Sequence, residues 1–367
     1  MKILYATTIG GTMIFFKTYI KHLIDEGHTV DIATNETNSK VPECYREWGC
    51  KIYKINTSRS PLNKGNLKAI KQLKEIVLQE KYDIVHCHTP VAAMCVRLAC
   101  KKARKNGTKV IYTAHGFHFY KGAPLKNWLI FYPIEKYCSR FTDVLITINK
   151  EDYALAQKKM KARRIEYVTG VGIDLTKFGK SDIDKEEKRK ELGIPVDATM
   201  LLSVGELNEN KNHETVIRAI ADLDVYYAIA GKGELKEHLE NVIKELGLKK
   251  RVKLLGFRKD VAELYQTSDI YVLPSIREGL NVSIMEAMAT GKPVICGQIR
   301  GNTDLIGENE GGFLCKPKDT LAFKKSITIL TEDKKLSAKL GKRNKEEIKK
   351  YEINVVIKQM EKIYKEM

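Results

Sequence analysis

The sequence predicts an α/β protein with two doubly wound, parallel-sheet (Rossmann-like) domains, and three observations support this fold class. Short apolar runs typical of buried strands alternate with amphipathic stretches of helical length, a pattern that favours right-handed crossovers and parallel sheets. The alternation stops at residues 174–197, which are polar and charged, and then begins again. The chain, with 367 residues, is also too long for one ordinary core. Two domains in series, with a cleft between them, are therefore expected.

The predicted N-terminal domain covers residues 1–173. Its expected strands are MKILYAT, TVDIAT, CKIYKIN, YDIVHCHT, KVIYTAH, DVLITIN and IEYVTGVG. Helical periodicity marks the segments between them, which are TMIFFKTYIKHLIDEGH, KGNLKAIKQLKEIVLQEK, AAMCVRLACKKARKNG, LKNWLIFYPIEKYCSRF and EDYALAQKKM.

Residues 174–197 are expected to form a linker and the first helix of the second unit, and residues 198–350 the C-terminal domain. The expected strands are TMLLSVGE, VYYAIAG, RVKLLGF, DIYVLPS, KPVICG and GGFLCKP. The expected helices are HETVIRAIADL, ELKEHLENVIKELG, KDVAELYQTS, VSIMEAMATG and DTLAFKKSITILTED. The tail NKEEIKKYEINVVIKQMEKIYKEM is expected to form one or two amphipathic helices.

Composition argues against several classes of protein. No run of eighteen or more uncharged apolar residues exists, so no bilayer-spanning helix is expected. The start MKILYATTIGG is typical of a strand rather than of a secretion signal. The eight cysteines form no C-x-x-C pair and several stand in apolar runs, which indicates buried thiols of a reducing cytosol.

Positive charge is concentrated in the N-terminal half. The first 180 residues hold 31 Lys and Arg against 15 Asp and Glu, a net +16, and the remainder holds 33 against 31, a net +2. One interpretation is a well-solvated surface; the other is an anionic partner for this half alone. No basic helix, zinc-ligand spacing or aromatic RNA-binding motif is present, so nucleic acid is not expected and an anionic membrane face is favoured.

Functional residues of such folds lie in the loops that follow the strands. The Gly10–Gly11 turn lacks the G-x-G-x-x-G dinucleotide fingerprint; an anion contact by Gly11 and a simple tight turn remain equally open. His86 and His88 share one face of a strand without an evident third ligand, so core or cleft-lining histidines are favoured over zinc.

A loop of unusual composition, HGFHFYKGAP, follows the strand KVIYTA. It carries His115, His118, Tyr120 and Lys121 among aromatic residues and glycines. A single histidine is usually structural, but this setting favours a shaped loop that contacts a sugar hydroxyl or a phosphate.

Three loops of the C-terminal half are candidate phosphate or base contacts. Lys211, in VGELNENKNH, stands near a helix N-terminus, where the helix dipole disfavours a lysine unless an anion is present. Gly231, in AGKGEL, belongs to a second glycine-rich strand-to-helix turn. The segment GFRKD places Phe257 and Arg258 where a flat base could lie.

The segment REGLNVSIMEAMATGKPVI carries the strongest functional signal. Glu278 and Glu286 stand eight positions apart around apolar residues, and burying a carboxylate is costly unless something binds it. A carboxylate accepts two hydrogen bonds at once and suits a vicinal diol. The two glutamates are therefore expected to hold the ribose and the hexose of a sugar nucleotide. The helix amides between them are expected to bind its diphosphate, and the residues concerned are Leu280, Asn281, Val282 and Ser283.

This segment resembles the E-x7-E signature of glycosyltransferase family 4, the retaining GT-B enzymes. The segments VGELNENKNHETVIRAI, AGKGEL, LLGFRKDV and GVGIDLTKF fit the same family in the same order, and YTAHGFHFYKGAPLKNW is similar to its branch in bacterial capsule and exopolysaccharide assembly. The resemblance covers essentially the whole chain.

The resemblance implies roles for individual residues. Glu278 would contact the donor hexose, Glu286 the ribose, Lys211 the diphosphate, and His115 the transferred sugar and its phosphate. It makes His115 and Glu278 the catalytic residues. The expected donor contacts are Gly11, Lys211, Gly231, Phe257, Arg258, Glu278, Leu280, Asn281, Val282, Ser283 and Glu286; the expected acceptor contacts are His118, Tyr120 and Lys121. Where many members have an arginine partner for the lysine, this chain has Glu206.

The activity implied is retaining, metal-independent transfer of a hexose or N-acetylhexosamine from a nucleotide sugar, with uridine diphosphate favoured. The acceptor would be a saccharide on a polyprenyl diphosphate, reached from the cytoplasmic face of the membrane by a peripheral enzyme. The resemblance also implies that residues 351–367 form a helix returning to the first domain. The alternatives are a GT-B sugar-nucleotide epimerase, transfer to a soluble acceptor, a Rossmann oxidoreductase, which the missing fingerprint disfavours, and a non-catalytic binding protein.

A cluster of aromatic residues and lysines in the N-terminal half supports the membrane hypothesis. Such a mixture is typical of a headgroup interface, although amphipathic stripes usually pack a core. The aromatic residues are Phe117, Phe119, Tyr120, Trp128, Phe131 and Tyr132.

Overall fold

A computed structural model describes residues 1–179 and 183–367. It divides into two compact units: unit 1 comprises Met1–Val171 and Val356–Met367, and unit 2 comprises Gly172–Val355. The first crossing between units therefore lies two residues before the sequence-based boundary, and the end of the chain returns to unit 1. Residues 180–182 of the linker expected at 174–197 lie outside the described residues.

Unit 1 is built on a sheet of seven parallel strands in the order β3-β2-β1-β4-β5-β6-β7. Short 3-10 helices cover Gly10–Phe16 and Ser139–Phe141. The other elements are β1 (Lys2–Ala6), α1 (Lys17–Asp25), β2 (Thr29–Thr34), α2 (Cys44–Glu47), β3 (Ile52–Lys54), α3 (Gly65–Glu80), β4 (Ile84–His88), α4 (Pro90–Ala99), α5 (Lys101–Lys105), β5 (Lys109–Ala114), α6 (Leu125–Cys138), β6 (Val144–Thr147), α7 (Lys150–Lys159) and β7 (Arg164–Tyr167).

Unit 2 is built on a second parallel sheet, of six strands in the order β10-β9-β8-β11-β12-β13. Its elements are α8 (Leu175–Gly179), α9 (Lys185–Glu191), β8 (Thr199–Val204), α10 (His213–Ala219), β9 (Val225–Ala230), α11 (Lys236–Glu245), β10 (Val252–Gly256), α12 (Val261–Thr267), β11 (Ile270–Leu273), α13 (Val282–Ala289), β12 (Val294–Gly297), α14 (Asn302–Leu305), β13 (Gly312–Cys315), α15 (Thr320–Glu332), α16 (Lys334–Glu347) and a 3-10 helix at Ile348–Tyr351. The last helix, α17 (Ile353–Lys365), starts in unit 2 and continues in unit 1.

The predicted fold class is confirmed, and several helices differ from their predictions. The helix predicted at AAMCVRLACKKARKNG is divided into α4 and α5, and the sequence did not predict α2, α14 or the first ten residues of α16. The helix predicted to start near Thr12 begins as a 3-10 helix at Gly10–Phe16 and is α-helical only from Lys17; the Gly10 amide, which has no acceptor within the helix, donates to Asn35 O (2.9 Å). The helix predicted to reach Leu223 ends at Ala219, and the Arg251 guanidinium donates to the carbonyl oxygens of the residues that follow, including Ala221 O at 2.8 Å.

Both sheets are buried between helices, which explains why the strands read as nearly continuous apolar runs. All eight thiols are free and seven of the cysteines are buried, as predicted. None of the helices in the described parts of the chain combines the length and apolar character that a membrane span requires.

Candidate active site

Glu278 lies in unit 2, in the loop that joins strand β11 to helix α13. Three contacts fix the backbone of this loop: Ile276 N donates to Asn210 O (2.8 Å), Asn210 Nδ2 donates to Arg277 O (2.9 Å), and Arg300 Nε donates to Glu278 O (3.1 Å). The loop is also backed by Gly301, where φ is +77° and a Cβ atom would overlap the carbonyl oxygen of Gly279. The loop therefore holds Glu278 on a backbone that neighbouring segments fix.

The side chain of Glu278 forms an ion pair with Lys211. Lys211 Nζ lies 2.7 Å from Glu278 Oε1, and the two side chains are 17% and 14% exposed. The lysine side chain passes over Gly205, where an added Cβ atom would come within 3.1 Å of Lys211 Cε. An ammonium has three donors and a carboxylate can accept several hydrogen bonds, so both groups retain capacity for a ligand. A phosphate at Lys211 would compete with Glu278 for the ammonium.

Glu286 lies inside α13 in a different environment. The hydroxyl of Tyr265 donates to Glu286 Oε2 at 2.9 Å. Burial raises the pKa of Glu286 to about 6, while the Tyr265 hydrogen bond and the positive charge of Lys177 oppose that rise. No signal in the sequence singles out Tyr265, because a tyrosine in a helical apolar stripe cannot be distinguished from an ordinary core residue.

The N-terminus of α13 is capped by Asn281. Its side-chain oxygen accepts from the amides of Ser283 (2.9 Å) and Ile284 (3.3 Å), and the Tyr271 hydroxyl donates to Ser283 Oγ at 2.6 Å. The expectation of a free Ser283 amide is therefore wrong, because the cap uses it. The amides of Leu280, Asn281 and Val282 remain the candidate phosphate donors.

The remaining donor candidates of unit 2 occupy three different settings. Gly231 meets a backbone requirement, because a Cβ atom there would overlap the carbonyl oxygen of Gly205. The Phe257 ring is 67% exposed. Arg258 is held by carboxylates: its Nη2 lies 2.7 Å from Glu191 Oε1, and its Nε donates to Asp260 Oδ1 at 2.8 Å. The exposed Phe257 ring could therefore stack on a base, whereas the Arg258 guanidinium is bound to carboxylates.

Glu206, which stands where the resemblance leads us to expect an arginine, is exposed. Its Oε2 accepts from Asn208 Nδ2 at 2.9 Å. Lys211 N donates to Asn208 Oδ1 at 3.0 Å, so Asn208 links the two residues. The chain therefore has a carboxylate, and not the expected cation, five positions before Lys211.

His115 lies in unit 1, just after β5, and Gly11 lies there in the first 3-10 helix. His115 Nε2 is 3.0 Å from His88 Nδ1. His86, two residues before His88 on β4, binds Tyr364 Oη (2.6 Å) and Thr113 Oγ1 (2.8 Å) instead. Burial lowers the pKa of His115 to about 4 and of His86 to about 3, and moves that of His88 well below its ordinary value. The three imidazoles are therefore neutral near pH 7.

The acceptor candidates lie in the loop between β5 and α6. The His118 ring stacks on Phe131, with centroids 4.4 Å apart. The Tyr120 carbonyl oxygen accepts from Trp128 Nε1 at 3.3 Å, and the Lys121 amide donates to Glu151 Oε1 at 2.9 Å. The Lys121 side chain is exposed. The loop is thus tied to α6 and α7 through backbone groups, and the roles of its side chains stay a prediction.

The described residues include no group of three or more His, Cys, Asp or Glu side chains that could hold a metal ion. Mg²⁺ is often bound through substrate phosphates with one or two carboxylates. The metal independence of the reaction therefore stays a prediction.

The two parallel sheets and the site of unit 2 are those of a GT-B glycosyltransferase. Residues 184–347 match the family model of glycosyl transferases group 1, and residues 2–149 match that of glycosyl transferase 4-like domains. The chain is 37% identical to EpsD of Bacillus subtilis (strain 168), a protein named as a glycosyltransferase, over 99% of this chain and 96% of EpsD. The chain therefore belongs to this glycosyltransferase family.

Other relatives support the same assignment. The chain is 32% identical to the UDP-Gal:α-D-GlcNAc-diphosphoundecaprenol α-1,3-galactosyltransferase of Escherichia coli, over 74% of this chain and 72% of that enzyme. Among solved structures, Anabaena HepE in complex with UDP aligns with a TM-score of 0.84 at 20% identity, covering both chains completely. WaaG, a glycosyltransferase of lipopolysaccharide biosynthesis, aligns with a TM-score of 0.77 at 16% identity, over 98% of this chain and 99% of WaaG. The structural likeness establishes the GT-B fold.

The environment of Glu286 predicts a pH dependence of folding stability. Its pKa is about 6 in the folded protein against an ordinary 4.5, so folding strengthens proton binding at this carboxyl. The resulting stabilisation is fully present below pH 4.5 and is lost as pH rises through 6; it amounts to about 2 kcal/mol. We expect the free energy of unfolding of wild type minus that of Glu286→Gln, measured in urea, to fall by about this amount between pH 4.5 and 7. A difference independent of pH would contradict this environment.

Proposed function

We propose that this protein transfers a hexose or N-acetylhexosamine, with retention, from a uridine diphosphate sugar to a saccharide on a polyprenyl diphosphate, in the synthesis of a cell-surface polysaccharide. The observation that carries the proposal is the Lys211–Glu278 ion pair, whose carboxylate lies in the same strand-to-helix segment as the buried Glu286. In this assignment a diphosphate takes the Lys211 ammonium and releases the Glu278 carboxylate for sugar hydroxyls, while Glu286 accepts from the ribose diol.

The chemistry assigned to this site is substitution at the anomeric carbon. The acceptor hydroxyl oxygen forms a bond to the anomeric carbon while the bond between that carbon and the diphosphate oxygen breaks. The hydroxyl proton passes to the departing diphosphate on the same face. Lys211 and the amides of Leu280, Asn281 and Val282 stabilise the charge that develops on the leaving group. Glu278 positions the sugar, and His115 is assigned to the transferred sugar and its phosphate, as the family resemblance implies.

The donor and acceptor classes are supported by the names of two relatives. The E. coli relative is named for transfer from UDP-Gal to a GlcNAc-diphosphoundecaprenol. A Campylobacter jejuni relative, 26% identical over 99% of this chain and 98% of that enzyme, is named for transfer of N-acetylgalactosamine to a diphospho-undecaprenol saccharide. Both names combine an aminosugar or galactose with a lipid diphosphate acceptor.

A panel of sugar nucleotides tests the donor assignment. We expect UDP-hexoses or UDP-N-acetylhexosamines to raise Tm more than the matching GDP, ADP or TDP sugars, because a ligand that binds only the folded state stabilises it. Product analysis in the absence of an acceptor distinguishes a glycosyltransferase from an epimerase, because an epimerase would convert the sugar nucleotide to its epimer. Stabilisation by NAD alone would instead favour an oxidoreductase.

We propose that the reaction needs no added metal, because Lys211 and helix amides supply the positive charge at the diphosphate. Transfer should therefore proceed in EDTA at the rate seen with Mg²⁺. Loss of transfer in EDTA and its recovery with Mg²⁺ or Mn²⁺ would contradict this part of the proposal.

The structure changes the residues on which the membrane hypothesis rests. Phe117 and Phe119 are fully buried core residues, and Trp128 and its aromatic neighbours pack against the same core. These rings were expected at a headgroup interface, but they pack in or against the core of unit 1. The outward face of α6 carries different apolar residues, with Leu125 73% and Leu129 67% exposed.

The positive charge of unit 1 supports the hypothesis that the outward face of α6 binds a membrane. Unit 1 holds 32 Lys and Arg against 16 Asp and Glu, whereas unit 2 holds 32 against 30. Lys121, Lys126 and Lys136 are exposed on or beside α6. We propose that this face, Leu125 and Leu129 with the three lysines, binds an anionic membrane from the cytoplasmic side, each lysine contributing about 1 kcal/mol near the surface.

The triple variant Lys121→Glu, Lys126→Glu and Lys136→Glu should lose most cosedimentation with phosphatidylglycerol vesicles at low salt, because the attraction is electrostatic and screened by salt. UDP binding should not change. A matched control reverses three exposed lysines of unit 2, Lys244, Lys249 and Lys250. Equal recovery of wild type on neutral and anionic vesicles, or none on either, would favour a soluble acceptor.

A further inference from the structure

A small cavity in unit 1 lies under His115. Its volume is about 40 Å³, and its lining includes Tyr19, His88 and Thr113. Two buried polar atoms of this lining have no hydrogen-bond partner among the described residues: His88 Nε2 and Tyr19 Oη. Both side chains are more than nine-tenths buried. Unpartnered buried polar atoms are rare and need a physical reason.

The other ring nitrogen of His88 is engaged. The distance of 3.0 Å between His88 Nδ1 and His115 Nε2 is a hydrogen bond, so one nitrogen carries the proton and the other accepts it. Both imidazoles are neutral near pH 7, because burial lowers both pKa values. Two arrangements follow: either His88 donates and His115 accepts, or the reverse.

The unpartnered atom distinguishes the two arrangements. If His115 donated, His88 would accept at Nδ1 and carry its own proton on the buried Nε2; a water in the cavity would then accept from both Tyr19 and His88, and neither of its own protons would have an acceptor in this pair. If His88 donates from Nδ1, its Nε2 is an acceptor. Tyr19 carries a hydroxyl proton, because burial raises its pKa. A cavity of about 40 Å³ has room for one water, which could accept from Tyr19 and donate to His88 Nε2, so that one of its two protons is satisfied.

We infer that His88 fixes the tautomer of His115: His88 donates from Nδ1 to His115 Nε2, and His115 therefore carries its proton on Nδ1. His88 is a positioning residue, and His115 Nδ1–H is the donor presented to the substrate. This inference rests on the proposed function, in which His115 contacts the transferred sugar and its phosphate. Without His88, imidazole populates both tautomers, and the Nε2–H form leaves only a lone pair at Nδ1.

Asn and Asp have side chains of nearly equal size. Placing each of them at position 88 therefore distinguishes the effect of hydrogen-bond donation by His88 from the effect of its volume. Asn at position 88 can supply an N–H donor close to the place of Nδ1, whereas an ionised Asp supplies only acceptors. His88→Asn should keep the proton of His115 on Nδ1, and His88→Asp should move it to Nε2. His86→Asn is the matched control, because His86 binds Tyr364 and Thr113 rather than His115.

The experiment measures ¹⁵N chemical shifts of the histidine rings in the full-length protein, together with kcat and KM for the donor. We expect His115 to be protonated on Nδ1 in wild type, His88→Asn and His86→Asn. In His88→Asp we expect protonation on Nε2 and a fall of about a hundredfold in kcat with little change in KM, the pattern of a contact used in the transition state.

Three outcomes would overturn the inference: protonation of wild-type His115 on Nε2, an unchanged His115 tautomer in His88→Asp, or a changed tautomer with unchanged kcat. The chemical shifts need no turnover, so they remain readable if no sugar transfer is detected and the proposed function itself fails. His88→Leu, which removes the hydrogen bond without a buried charge, replaces His88→Asp if that variant does not fold; we then expect both His115 tautomers to be populated.

Discussion

Glu278→Ala is expected to lower kcat/KM for sugar transfer by about a hundredfold or more, because the carboxylate that positions the donor hexose is lost. Folding should be little affected, since the loop backbone is held by Asn210 and Arg300. The variant also releases Lys211 from its ion pair. The affinity for UDP should therefore stay the same or increase, which separates loss of the hexose contact from loss of the nucleotide site.

Steady-state kinetics and calorimetry on the same preparation check this expectation. Glu278→Gln is the matched control: it keeps the size and a hydrogen-bond acceptor but removes the charge that holds Lys211, so an intermediate loss of kcat/KM is expected. Normal turnover by Glu278→Ala would show that this carboxylate does not position the sugar.

Lys211→Ala is expected to weaken UDP binding by about 10- to 100-fold, since a hydrogen bond to a charged group contributes about 1.5–3 kcal/mol. The side chain also neutralises Glu278, so its loss leaves a poorly exposed carboxylate near the diphosphate. Charge repulsion then adds to the lost contact, and the double variant Lys211→Ala with Glu278→Ala should bind UDP better than Lys211→Ala alone.

Calorimetric titration at two salt concentrations tests this prediction. The wild-type affinity should fall more steeply with salt than that of Lys211→Ala, because the lost ion pair is the salt-sensitive part of binding. Lys232→Ala, in the neighbouring glycine-rich turn but outside every ion pair of the described residues, is the control. Equal affinities of Lys211→Ala and wild type would place the diphosphate elsewhere.

Local signals in the sequence were enough to predict the strands, both sheets and the positions of Glu278 and Glu286. Apolar runs bounded by glycines and capping residues specify these elements within a few positions of the chain. The N-cap at Asn281 is another local signal, because its side chain binds the amides of the residues two and three positions later in the chain.

The contacts that define the site could not be predicted, because they join distant parts of the chain. Lys211 and Glu278 are 67 positions apart, and Tyr265 and Glu286 are 21 apart. Their pairing depends on which strands are neighbours in the sheet. The aromatic residues around Phe119 were assigned to a surface for a related reason: composition shows that a segment is amphipathic but not what its apolar side packs against.

The most direct test of the two-glutamate assignment is a titration of UDP, without sugar, into Glu278→Ala and Glu286→Ala. UDP carries the ribose but no hexose, so only the Glu286 contact should matter. We expect wild-type or tighter affinity in Glu278→Ala and an affinity about tenfold weaker in Glu286→Ala. Unchanged affinity in Glu286→Ala, or equal losses in both variants, would contradict the assignment of ribose to Glu286 and hexose to Glu278.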